Sequence, residues 1–319
     1  MDHWKAPFDV GDFITRPIFT TVNGYAYCRA DYRIPWRQIP AMILWYLRML
    51  PTMLRDLIPQ WQDHALPDYL AVIEHWESQG TASASDEQLL SGLRKLTIAD
   101  ADYWFSLTMV VGIAKVTDGA LHTFVSRLIK GELISGMFLR GFPSKTMEAM
   151  TDLEAIARQI QDQQTLMDLV RRTPAKHLPE VLQQHEDGVN VLSNLFAYLQ
   201  KYGHQVYNLD FVEQTQAEDP LPVLLSLKGL VSKNLSRDVN QQEEMVAQRD
   251  SLEAQTSASL GPVRRWIFRK LLGWAQTYGP FREESLFYMG AAWPVLRRIT
   301  KELGKRLVEA GTLTSPDDT

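Results

Sequence analysis

The chain has 319 residues and a formal charge of −5, from 33 basic and 38 acidic side chains. Its length and 45% hydrophobic content suffice for one large domain or two ordinary ones and argue against wholesale disorder. A pI near 5.8 excludes a general basic field for coating nucleic acid, and the single cysteine, Cys28, excludes an internal disulfide or a multi-cysteine zinc cluster.

In chain order, residues 1–35 carry Gly11, Pro17, Gly24 and Pro35 among short apolar pieces, which predicts an irregular or short-stranded segment wrapping a larger body. Residues 36–319 read as one multi-helix domain, so the fold class expected is mainly α, with a subdomain edge near 230–240. From Pro40, the spacing of Ile43, Leu47, Leu50, Leu54 and Leu57 predicts a helix with one apolar face, kinked or split at Pro51. The helical seed at 66–79 follows. Ser85 is expected to cap the next helix, with Glu87 or Gln88 facing the exposed amides.

The stretch 100–130 is apolar nearly all round, as in a central helix; Gly112 and Gly119 within it need compensation from packing or close ligand approach. Further helices are expected at 145–172, 178–202, 240–259, 262–278 and 283–310. The last rests on the spacing of Leu286, Met289, Trp293, Leu296, Ile299, Leu303 and Leu307. The apolar run after Pro220 and the polar stretch beyond it read as a crossover. No leader-like h-region opens the sequence, and no uninterrupted apolar stretch reaches about 18 residues, so a cytoplasmic chain without a membrane span is expected.

Three strings carry candidate chemistry. Gly131 to Thr146 resembles a phosphate loop only superficially, because three residues separate Gly141 from Lys145. What remains is an N-cap at Ser144, free amides beyond it, and Arg140, Lys145 and Thr146 as anion contacts; a local pairing of Lys145 with Glu148 competes. The second string ends a helix at Gly203 and places His204, Asn208 and Asp210 on the following loop. His204 is either a base or anion contact, or a structural imidazole with a backbone partner. Asp210 and Glu213 with Glu218 or Asp219 lack the spacing of an oxygen-ligand metal site, and no metal is expected. The third string offers Arg265 and Arg269, four residues apart on one face, for a phosphate or carboxylate, and then Arg282. A solvated helix face is the competing reading, and nucleic-acid binding is not expected.

Taken together, LPDYLAVIEHW at 66–76, GMFLRGFPSKTMEAM at 136–150, FAYLQKYGH at 196–204 with AEDP at 217–220, and the block from 278 to 319 resemble phosphoenolpyruvate-utilising phosphotransferases. They are similar to the region between the nucleotide-binding and phosphohistidine domains of the phosphoenolpyruvate-synthase-like and rifampicin-phosphotransferase-like members. The resemblance implies a helical region that receives a small organic acceptor. Arg140, Lys145, His204 or Arg282 would orient that acceptor between apolar walls from 100–130 and 285–300. ATP and Mg²⁺ would belong to a separate nucleotide-binding module, with a phosphohistidine protein as carrier, and no cofactor is expected on this chain. A helical binding or scaffold protein without phosphoryl transfer is the alternative; an independent hydrolase or lyase using His204 comes third.

Overall fold

The computed structural model describes residues 19–22, 25–28, 36–37, 39–129, 134–205, 213–233 and 238–316. By packing, the chain divides into two units, residues 1–60 and 61–319. In the first, β1 (Phe19–Val22) and β2 (Tyr25–Cys28) pair antiparallel, with Phe19 opposite Cys28 and Val22 opposite Tyr25. Helix α1 (Ile39–Gln60) contains Pro51 and Pro59, so Pro51 does not split it.

The second unit is helical. A π-helical turn, Trp61–Ala65, precedes α2 (Leu66–Glu77), and α3 (Asp86–Leu128) then runs 43 residues. Its start is fixed by a capping box: Ser85 Oγ accepts from the Gln88 amide, and the Gln88 side chain accepts from the Ser85 amide. The expected cap and the expected apolar helix from residue 100 therefore belong to one element. Gly92 does not interrupt it but lets the Trp76 ring pack close, since a Cβ there would lie 2.8 Å from Trp76 Cε3. Neither Gly112 nor Gly119 has anything within 4 Å of where a Cβ would stand, so the compensating contact expected at these glycines is absent among the described residues.

The expected helix 145–172 is two, α4 (Lys145–Gln161) and α5 (Gln164–Arg172). No strong breaker separates them; the turn swings Leu166 and Val170 into a shared core. The expected 178–202 is likewise α6 (Leu178–Gln183) and α7 (Glu186–Tyr202). Gly188 allows this break, because a Cβ there would sit 2.3 Å from the Leu182 carbonyl oxygen. The expected crossover after Pro220 is helix α8 (Leu221–Ser232), followed by α9 (Asp238–Ser259).

At the far end, α10 (Pro262–Phe287) continues through Gly279 and Pro280, and the expected helix 283–310 begins only at α11 (Trp293–Glu309). Gly279 explains the first correction: a residue before proline is pushed out of the α region by its Cβ, and glycine has none. Gly290, at φ +76°, and Pro294 in the first turn of α11 explain the second.

Two of the cores among the described residues lie in this unit. One joins α4 through α8 around Leu153, Ile160, Leu195 and Leu227; the other joins α3, α10 and the turn after α3 around Leu121, Phe124, Phe138 and Phe268. Ala149, Tyr202 and Phe287 form a small cluster between α4, α7 and α10. By length and composition α3 would be enough to cross a membrane, but here it packs along α10, α2 and α11. Tyr69 and Tyr103 stack with centroids 4.5 Å apart and tie these helices together. Tyr69 donates to Asp100 at 2.6 Å and accepts from the Ala292 amide, while Tyr103 donates to the Ser285 carbonyl at 2.6 Å. Burial, together with the neighbouring carboxylate for Tyr69, pushes both phenols above their ordinary range.

Candidate functional site

A cleft of about 460 Å³ opens where α3, α10 and the start of α4 converge. The turn from Leu139 to Ser144 forms one wall, carrying Gly141 at φ +74° with Phe142 and Pro143 beyond it. Ala114, Ala275 and Pro280 make the wall apolar, and Asp118, Ser144, Thr146, Arg282 and Glu283 supply its polar groups. Ser144 caps α4 by accepting from the Met147 amide at 3.2 Å. Arg282 is held by Glu283 at 2.5 Å, and Asp118 makes no ion pair or hydrogen bond among the described residues. The formally charged groups of the cleft are therefore one paired guanidinium, its carboxylate and one free carboxylate.

Of the residues singled out in the sequence, Thr146 and Arg282 are brought together here. Lys145 is turned away, pairing with Glu148 at 2.9 Å. Glu148 also meets Lys201 at 2.7 Å, and Lys201 reaches Asp152, which accepts from the Tyr202 hydroxyl at 2.6 Å. Lys201 and Lys145 hold the Glu148 carboxyl down to about 2, and the bond from Tyr202 holds Asp152 below its usual range.

His204 lies apart from the cleft. Its Nε2 is 2.8 Å from the Phe287 carbonyl oxygen, its ring is edge-on to Phe287, and it is nearly parallel to Tyr288 at 6.4 Å. A carbonyl only accepts, so Nε2 carries the proton in this contact; burial lowers the imidazole below its ordinary value.

Arg265 and Arg269 converge on the end of α9. Arg265 Nε donates to the Ser257 carbonyl at 2.7 Å and Nη2 to the Leu260 carbonyl at 2.9 Å, while Arg269 donates to Ser257 Oγ. Arg265 thus satisfies carbonyls left open at a helix C-terminus, and Arg269 bonds the Ser257 hydroxyl beside them. Arg140 is exposed on the outer side of the Leu139–Ser144 turn. Asn208 and Asp210 lie outside the described residues.

Glu218 and Asp219 do not converge as metal ligands: Glu218 accepts from Thr215 and pairs with Arg297 at 3.1 Å, and Asp219 accepts from the Leu221 amide. No group of three or more His, Cys, Asp or Glu assembles among the described residues. Sequence reasoning missed Asp118, exposed on α3, and Arg297, buried on α11. No motif or spacing in the sequence marks either residue.

The model of the fourth domain of rifampicin phosphotransferase matches residues 109–283, more than half of the chain. The chain belongs to this family. The match takes in the 136–150 and 196–204 strings and every polar residue of the cleft. The domain is also 25% identical over 196 residues, 60% of the chain, to the uncharacterized phosphotransferase YvkC of Bacillus subtilis (strain 168). It spans about a quarter of that relative's length, 24%.

Proposed function

We propose that this domain binds the acceptor substrate of a phosphoenolpyruvate-utilising phosphotransferase system in the cytoplasm, with nucleotide and phosphohistidine chemistry supplied by separate modules. The observation that carries the reading is the cleft between α3, α4 and α10, which lies wholly within the family-matched residues 109–283. Its size and its apolar wall with a few polar groups suit a small organic molecule. Asp118 is free to accept the proton of an acceptor hydroxyl as that oxygen bonds to phosphorus and the bond from phosphorus to its carrier breaks. Arg282 and the start of α4 would orient the polar edge.

A second reading is supported by His204, whose bond to a backbone carbonyl suits a structural role: the same cleft then binds without phosphoryl transfer. The two separate on Asp118→Asn. Calorimetric titration with a panel of hydroxyl-bearing organic molecules identifies ligands; phosphorylation of those ligands is then followed with the partner modules present. Binding kept with transfer lost by at least about a hundredfold supports the acceptor role. Unchanged transfer removes Asp118 from it, and a panel that binds nowhere contradicts the cleft assignment.

A further inference from the structure

We propose a second small-molecule site on the outer face of the Leu139–Ser144 turn, selective for an amphipathic organic anion. A separate cleft of about 440 Å³ lies there between the turn and α9, lined by Met137, Arg140, Met245, Gln248, Arg249 and Leu252 among others. It contrasts with the first cleft in charge: two guanidiniums line it and no carboxylate does.

The two arginines have different parts. Arg249 is pinned, with Nη1 donating to the Arg140 carbonyl at 3.1 Å, Nε and Nη2 donating to Asp250, and its guanidinium 4.3 Å from the centre of the Phe142 ring. Asp250 thus offsets its charge and uses its donors. Arg140 is held by its backbone while its side chain makes no bond among the described residues, so its guanidinium is free to take a carboxylate, sulfonate or phosphate. Methionine and leucine side chains beside it adapt to an apolar body of variable shape. The turn packs closely against α9 next to the cleft, since a Cβ on Gly141 would lie 2.9 Å from Val246 Cγ2.

The test is fluorescence titration of the full chain with 8-anilinonaphthalene-1-sulfonate, an aromatic monoanion, and with the uncharged N-phenyl-1-naphthylamine. In Arg140→Gln the anionic probe binds about tenfold more weakly and in Arg140→Glu more weakly still, while the neutral probe is unaffected. Far-ultraviolet circular dichroism and melting temperature stay unchanged, because the Arg140 side chain is exposed. Sulfonate binding that ignores both substitutions, or a neutral probe that weakens in parallel, overturns the proposal.

Discussion

The imidazole of His204 and the carbonyl of Phe287, 83 residues apart, meet at 2.8 Å and join the end of α7 to the end of α10. Protonation in the folded state is opposed by burial, so the unfolded chain takes up the proton first. The stability contributed by the neutral, buried imidazole is complete above the unfolded value near 6.5 and declines as pH falls below it, because burial penalises the cation more than the Phe287 carbonyl favours it. His204→Ala costs about 1–2 kcal/mol at pH 8 in urea denaturation, and the gap between wild type and variant narrows towards pH 5. A gap that is flat across that range would refute the assignment.

Arg297 and Glu218 bind a second seam, with Thr215 donating from its amide and hydroxyl to the same carboxylate. Arg297 is only 7% exposed. Removing its carboxylate in Glu218→Ala is expected to cost about 2–3 kcal/mol, and Glu218→Gln less, since the amide still accepts from Thr215. Equal loss in both variants would show that charge pairing dominates over the Thr215 bonds.

The glycines of the long helices separate two physical effects. At Gly112, where a Cβ meets nothing, Gly112→Ala is expected to raise stability by about 0.5–1 kcal/mol. Gly279→Ala also meets open space beyond its neighbours, but its Cβ faces the Pro280 ring within a helix and destabilises instead. Thermal melts of the two variants decide it by sign.

The Glu148 carboxyl, drawn to about 2 by Lys201 and Lys145, contributes stability that is full above its unfolded value near 4.5 and lost as pH falls towards 2. Wild type and Glu148→Gln therefore differ at neutral pH and converge in that acid window. The difference shrinks in high salt, because the Glu148 and Lys201 side chains are substantially exposed. Carbon-detected NMR of the side-chain carboxyls reads the midpoint directly.

The mainly helical fold was legible because apolar spacing of three and four runs through most of the second unit. The Ser144 cap and the competing Lys145–Glu148 pair were legible as well, being local. Boundaries were lost where packing overrode local signals. Gly279 looked like a helix end and instead lets Pro280 sit inside α10; Gly188 and Leu182 close a turn that no local propensity marks. The site was only partly visible for the same reason. Thr146 and Arg282 lie 136 positions apart, and nothing local says that they share a cleft with Asp118 rather than with Lys145 or His204.

The most direct test of the cleft as an acceptor site is native mass spectrometry of the chain with the organic ligands found by titration, comparing wild type with Thr146→Phe. Thr146 is exposed and lines the cleft, so a phenyl group fills the space without entering either core. The account predicts a one-to-one adduct on wild type, lost in the variant while its melting temperature is unchanged. An adduct of equal abundance on both proteins would contradict it.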